Sequence, residues 1–180
     1  TMMMKRLFFT IVVALLASVV QAQERTPFFV QIADPQLGFI TKSEDYSIEQ
    51  ERMERIIAKV NQLQPDFVVF AGDLVHWPTD HSRAAFDELC KRFDRSIPIY
   101  YLPGNHDVGN DAKAKAIREF VERYGHDRFV YKGQGYRVVG YNSGVIKAET
   151  EAEAKEYRWL KRQLRRSSRR PTVVVAHHPV

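Results

Sequence analysis

The chain of 180 residues has a single cysteine, Cys90, so it can form no intrachain disulfide and no cysteine-based zinc site. Its nine glycines and eight prolines are too few for a collagen-like or low-complexity chain. There is no internal repeat, no linker-like stretch and no block of one charge long enough to be a disordered tail. Lys and Arg together number 27 against 22 Asp and Glu, and the formal net charge of +5 is too mild to imply nucleic acid. One local concentration, Lys161, Arg162, Arg165, Arg166, Arg169 and Arg170, reads as a solvated helix end favoured by the helix dipole. Cys90 falls with Phe86, Leu89 and Phe93 on one apolar helical face and reads as core.

Long apolar runs are also scarce, with one exception at the N-terminus. Lys5 and Arg6 precede a nearly all-apolar stretch from Leu7 to Val20, and Val20-Gln21-Ala22 fits a small-x-small cleavage site. Residues 1–22 are therefore expected to be a signal peptide, with a mature start near Gln23 and export to a periplasm or to the exterior. The run is short for a comfortable membrane span of about 20 residues, so no stable span is expected after cleavage; an uncleaved segment would be an anchor. Removing Lys5 and Arg6 leaves the mature part at +3.

From Phe28 onward, short apolar runs alternate with amphipathic segments. Strands are predicted at Phe28–Ala33, Phe67–Ala71 and Ile97–Leu102. Helices are predicted around Met53, Ile56, Ile57, Val60 and Leu63, ended by Pro65, around Phe86, Leu89, Cys90 and Phe93, and around Ile117, Phe120, Val121 and Tyr124. Phe129–Lys132 and Tyr136–Tyr141 flank Gly133-Gln134-Gly135 and read as a hairpin. A helix through Tyr157, Leu160 and Leu164 and a strand at Thr172–Ala176 close the pattern. The order implies an α/β layered protein whose first strands are parallel.

Four of these strands run into residues able to do chemistry. Phe28–Ala33 leads to Asp34-Pro35-Gln36, and Phe67–Ala71 to Gly72-Asp73-Leu74-Val75-His76. Ile97–Leu102 leads to Pro103-Gly104-Asn105-His106-Asp107, and Thr172–Ala176 to His177-His178-Pro179. In open α/β sheets ligands bind beyond the carboxyl ends of strands. Taken singly, Asp34-Pro35 and Gly72-Asp73 read as turns, and one of the paired histidines as a core residue. In this order, each at a strand end, they read as one site.

The set resembles the calcineurin-like metallophosphoesterases, whose signature runs Asp-x-His, Gly-Asp, Gly-Asn-His-Asp or Glu, a lone His, and Gly-His-x-His. The resemblance covers Phe28 to Val180, and Gly104 to Asp107 is its most specific part. It is similar in particular to the serine/threonine-phosphatase branch with Asp-Pro-Gln at the first motif, Gly-Asp-Leu-x-His at the second and Gly-Asn-His-Asp-x-Gly-Asn at the third. The resemblance implies an α/β/β/α sandwich of two mixed sheets and two divalent metal ions (Mn, Fe, Zn, Ni or Mg). It also implies hydrolysis of phosphomonoesters, small or on a protein, by a hydroxide held on the two metals. By the same resemblance Asp34 ligates the first metal, Asp73 bridges both, and Asn105 and His177 ligate the second. His106 faces the scissile phosphate, Asp107 orients the His106 imidazole, and His76 and His178 line the substrate pocket. Two other readings stay open at this level: a phosphodiesterase or pyrophosphatase acting on nucleotides or lipid headgroups, and a non-catalytic exported binding protein that keeps the fold.

Three departures from the pattern carry expectations. Gln36 stands where the wider family has His; its amide oxygen is a harder donor, so it is expected to bind or support the first metal and to favour Mn or Mg. His76 stands where purple acid phosphatases carry a tyrosinate, which implies no purple iron site. No Gly-His-x-His follows His177, so residues 23–180 are expected to be the N-terminal portion of the domain, and the chain by itself to be inactive.

Overall fold

The computed structural model describes residues 25–147, 151–166 and 170–178. The predicted signal segment, Arg169 and Pro179 lie outside the described residues. The chain opens with β1 (Val30–Ile32), α1 (Ser47–Leu63), β2 (Val68–Ala71), α2 (Asp80–Cys90) and β3 (Ile99–Leu102). The short α3 (Asn105–Val108) and α4 (Ala114–Tyr124) follow, then the hairpin β4 (Phe129–Lys132) and β5 (Arg137–Gly140). A 3₁₀ turn at Ser143–Lys147, α5 (Glu151–Arg165) and β6 (Thr172–Val175) complete it. Among the described residues no helix is long and apolar enough to cross a membrane.

The strands form two sheets of three. The first is parallel throughout, in the order β1-β2-β3. The second is mixed: β4 and β5 pair antiparallel, and β6 joins β5 in parallel. Strand periodicity then decides the layers. On β2, Val68 and Phe70 face α1, α2 and α4 and pack with Met53, Ile57, Val60, Phe86, Leu89 and Phe120. Val69 and Ala71 face the other way and meet Phe129, Val138 and Val175 of the second sheet. Phe70 anchors the first core, with the Phe86, Phe93 and Tyr101 rings 5.1, 6.0 and 5.5 Å from it, centroid to centroid. Helix α5 covers the far face of the second sheet through polar links. The Arg137 guanidinium donates to the carbonyl and side chain of Gln163 at 2.6 and 2.7 Å, and Arg128 pairs with Glu156. The layers are thus helices, sheet, sheet, helix, as the resemblance implies.

Every predicted strand and long helix is present, and the differences are at the ends. β1 is three residues long, shorter than the predicted Phe28–Ala33, because Asp34 takes a left-handed conformation (φ 52°) that stops the ladder. α1 ends where Gln64 turns left-handed (φ 50°) ahead of Pro65, whose ring disfavours helix in the residue before it. α3 and the 3₁₀ turn had no apolar period by which to be read.

Candidate dimetal centre

All four strand ends point to the same edge of the sandwich. Asp34 follows β1, Asp73 follows β2, Asn105 to Asp107 follow β3, and His177 follows β6. One ligand atom from each of Asp34, Asp73 and His177 lies within 4.8 Å of the others. Asn105 joins them, its Oδ1 3.2 Å from His177 Nε2.

The backbone is bent to achieve this. Asp34, Gln36 and Asp73 all have positive φ (52°, 42° and 52°), a conformation that costs non-glycine residues about 1–2 kcal/mol each. Neighbouring main chain offsets the cost: Asp34 N–H donates to Gly72 O at 3.2 Å, and Gln36 N–H to Asp73 O at 3.0 Å. The glycines of the two central motifs have a steric reason. A Cβ on Gly72 would lie 2.4 Å from His177 Nδ1, and one on Gly104 would lie 2.1 Å from Asp73 Oδ1. Only glycine lets these loops close over the site.

Hydrogen bonds set the histidine tautomers. His177 Nδ1 lies 2.9 Å from the Ala71 carbonyl, which can only accept, so Nδ1 carries the proton and Nε2 keeps its lone pair. That lone pair faces two more acceptors, Asn105 Oδ1 at 3.2 Å and Asp73 Oδ1 at 3.4 Å. Converging acceptors repel unless a cation lies among them, and an imidazole fixed through its other nitrogen is the usual form of a metal ligand. Reduced hydration holds the Asp34 carboxyl above its ordinary pKa; His177 opposes this and the Asp73 carboxylate adds to it. The donor set of carboxylate, amide oxygen and imidazole fits divalent metals of the borderline or hard kind. Asp34, Asp73, Asn105 and His177 would hold them.

His106 is fixed in the same manner. Its Nδ1 donates to the His76 carbonyl at 2.6 Å, its backbone N–H donates to Asp73 Oδ1 at 2.9 Å, and its Nε2 stays free, 4.0 Å from Asp73 Oδ2. This corrects the expected role of Asp107. Its buried carboxylate does not reach the His106 ring; it accepts from Gly104 N–H at 2.8 Å and Leu74 N–H at 3.1 Å, tying the second motif to the third. Burial pushes its pKa up to about 7. Asp107 is a positioning residue for the loops, and the His76 carbonyl orients the imidazole.

Gln36 turns its amide to His76 Nδ1 at 3.4 Å, and the His76 ring stacks on that of His106 with centroids 4.8 Å apart. Gln36 and His76 therefore stand beside His106, and the amide expected to bind or support a metal is engaged with imidazole. Burial, with Lys42 and His106 nearby, holds His76 below its ordinary pKa. His178 lies between Ser143 and His177. Ser143 Oγ lies 2.9 Å from its Nδ1 and accepts from its backbone N–H at 3.0 Å, and its ring meets His177 edge-on. It buttresses His177 where it was expected to line the pocket. Sequence reasoning missed Ser143 and the two clamping carbonyls of Ala71 and His76. A main-chain carbonyl carries no residue signature, and Ser143 sits in a short turn without period.

Residues 29–180 match the family model of the calcineurin-like phosphoesterases. The chain belongs to this family. Membership in the calcineurin-like phosphoesterases implies two divalent ions at the acceptor cluster. It is 30% identical over 158 residues to the serine/threonine-protein phosphatase CPPED1 of Rattus norvegicus, covering 76% of this chain and 50% of that protein. It is 30% identical over 128 residues to a probable glycerophosphodiester phosphodiesterase, GpdQ, of Arcobacter nitrofigilis, covering 68% of this chain and 46% of that one. A purple acid phosphatase from yellow lupin seeds shares the fold at a TM-score of 0.61 and 16% identity, over 86% of this chain and 31% of its own. The phosphoesterase chain spans about half the length of the curated relatives it matches. These likenesses do not bear out the expectation that the chain by itself is inactive.

Proposed function

We propose that the whole protein hydrolyses phosphomonoesters at the cluster of Asp34, Asp73, Asn105 and His177. The observation that carries this reading is the His177 lone pair facing two oxygen acceptors, beside a second imidazole whose free nitrogen borders the same carboxylate. Two divalent ions, when bound, supply a deprotonated water near neutral pH and neutralise charge on the phosphoryl oxygens. The residues do the rest. Asp34 and Asp73 supply negative charge that holds cations, and His177 and Asn105 supply neutral donors. A new oxygen–phosphorus bond forms as the ester oxygen–phosphorus bond breaks. His106 turns its Nε2 toward the departing alcohol oxygen and stabilises the charge that develops there, while Nδ1–H stays on the His76 carbonyl and keeps the ring aimed.

The test is the rate of the metal-loaded whole protein on a model aryl phosphate and on its bis-aryl diester. Faster hydrolysis of the monoester is expected, and faster hydrolysis of the diester would overturn the reading. The likeness to a protein named a probable glycerophosphodiester phosphodiesterase is the reason for the diester arm. The likeness to serine/threonine-protein phosphatases favours a phosphorylated protein or amino acid as the monoester.

Export to a periplasm or the exterior belongs to the same proposal. It is supported by the basic, apolar and small-x-small order of Lys5 to Ala22. An N-terminus sequenced at Thr1 or one of Met2 to Met4 in protein recovered from the cytoplasm would overturn it.

A further inference from the structure

The loops that deliver Asp34 and Asp73 continue past the acceptor cluster and are tied to each other. Leu37 and Val75 form a parallel bridge beyond β1 and β2, and the His76 N–H donates to the Leu37 carbonyl at 2.9 Å. Phe39 follows the first of these bridge residues and Trp77 the second. Their side chains are 47% and 46% exposed, and among the described residues no other phenylalanine or tryptophan is exposed.

Both rings close on His76. Phe39 meets the imidazole edge-on at 5.4 Å and Trp77 does so at 4.3 Å, centroid to centroid. The His76 ring in turn stacks on His106, so one imidazole separates the exposed rings from the one that faces the departing oxygen. The backbone beneath them is fixed. The Phe39 N–H donates to the Gln36 carbonyl at 3.0 Å, and the Trp77 carbonyl accepts from the Thr79 N–H at 2.8 Å and from Ser82 Oγ at 2.6 Å. The Lys42 ammonium lies over the Phe39 ring, 3.8 Å from its centre. Large aromatic surface left in water is unfavourable, and where it gathers among polar groups it marks a place for a ligand.

We propose that Phe39 and Trp77 bind the alcohol portion of the substrate and select phosphomonoesters whose alcohol carries an aromatic ring. This rests on the phosphomonoester reading above, in which His106 faces the departing alcohol oxygen. From that oxygen the alcohol passes His76, and its ring packs on Phe39 and Trp77. An aromatic ring gains from offset or edge-on contact with other rings beyond the area it covers, a gain that a saturated ring of the same size lacks. The bridged and capped loops hold the surface in place before substrate arrives, so little of the contact is lost to ordering. Lys42 adds positive charge beside it, which favours the approach of a phosphate dianion.

The experiment compares ethyl, cyclohexylethyl and phenethyl phosphate on the metal-loaded whole protein. All three release a primary alcohol, so the intrinsic ease of ester cleavage is nearly the same. The phenethyl ester is expected to have a kcat/KM at least about tenfold above the ethyl ester, the yield of one stacked ring. It is expected to exceed the cyclohexylethyl ester by about threefold. Equal values for phenethyl and ethyl would overturn the proposal, and equal values for the two rings would overturn the aromatic class. In Trp77→Ala, which removes a half-exposed side chain and keeps the hydrogen bonds of the Trp77 carbonyl, the phenethyl-to-ethyl ratio is expected to fall by at least about threefold. In the double variant with Phe39→Ala it should fall to near one. A ratio kept at the wild-type value in both variants would overturn the assignment to these rings. If none of the esters is hydrolysed, the phosphomonoester reading fails by itself. The surface is then read from calorimetric dissociation constants for the same esters: tighter binding of the phenethyl ester, lost in the double variant, sustains it, and equal binding overturns it.

Discussion

The two sheets contribute to one site but are finished differently. In the first, all of β2 is buried on both faces, by helices on one side and by the second sheet on the other. In the second, β5 is equally buried, yet β6 leaves Val173 and Val174 42% and 45% exposed, and α5 leaves Tyr157 and Leu164 open while burying Glu156 and Gln163. Residues Asp34, Asp73, Asn105 and His106 stand on the well-packed sheet. His177 alone comes from the less covered one, and it is held in place by a carbonyl of the first sheet, Ala71. The difference teaches that the better-covered half carries Asp34, Asp73, Asn105 and His106, and that one hydrogen bond across the sandwich brings His177 to them.

That contrast can be broken or sharpened by substitution in the whole protein. The largest effect is expected for Asp73→Asn, which removes the carboxylate shared by His106 and His177. Turnover should fall by roughly 100-fold or more, with loss of bound metal measured by elemental analysis after desalting. A variant with full activity and metal content would remove Asp73 from the centre. Phe70→Ala opens a cavity in the covered half and should cost about 3–5 kcal/mol in urea unfolding.

Gly104→Ala forces a Cβ to 2.1 Å from Asp73 Oδ1. A stability loss of about 1–3 kcal/mol is expected, with a larger proportional loss of activity than in Phe70→Ala at a temperature where both are folded. Unchanged kcat/KM would show that the loop tolerates a side chain. Val174→Thr, on the exposed face of β6, should move stability by less than about 0.5 kcal/mol. A loss of 2 kcal/mol or more, roughly the value of a fully buried Val, would mean that Val174 is covered in the whole protein and that the contrast between the sheets belongs to this chain alone.

Much of this was legible before any coordinates. Strands and long helices could be read because burial on one or both faces imposes a period of two or of three and a half on the apolar residues. The strand-end motifs could be read because Asp, Asn and His are conspicuous after apolar runs. Asp107 misled because its position beside His106 in the chain suggested contact. On the first turn of α3 its carboxylate instead turns back to Gly104 N–H and across to Leu74 N–H. His178 misled for the same reason: as a strand gives way to a loop, successive side chains diverge, and Ser143 captures the second imidazole.

The amino-acid sequence by itself determined the alternation of strand and helix, the family, and the set of residues gathered at the strand ends, because local patterning and residue chemistry suffice for these. The tertiary structure alone decided which nitrogen of each histidine is free, which groups the carboxylate of Asp107 holds, and that Phe39 joins Trp77 beside His76. Those outcomes depend on backbone carbonyls and N–H groups brought together from distant parts of the chain, and such groups are the same in every residue and leave no mark in the order of side chains.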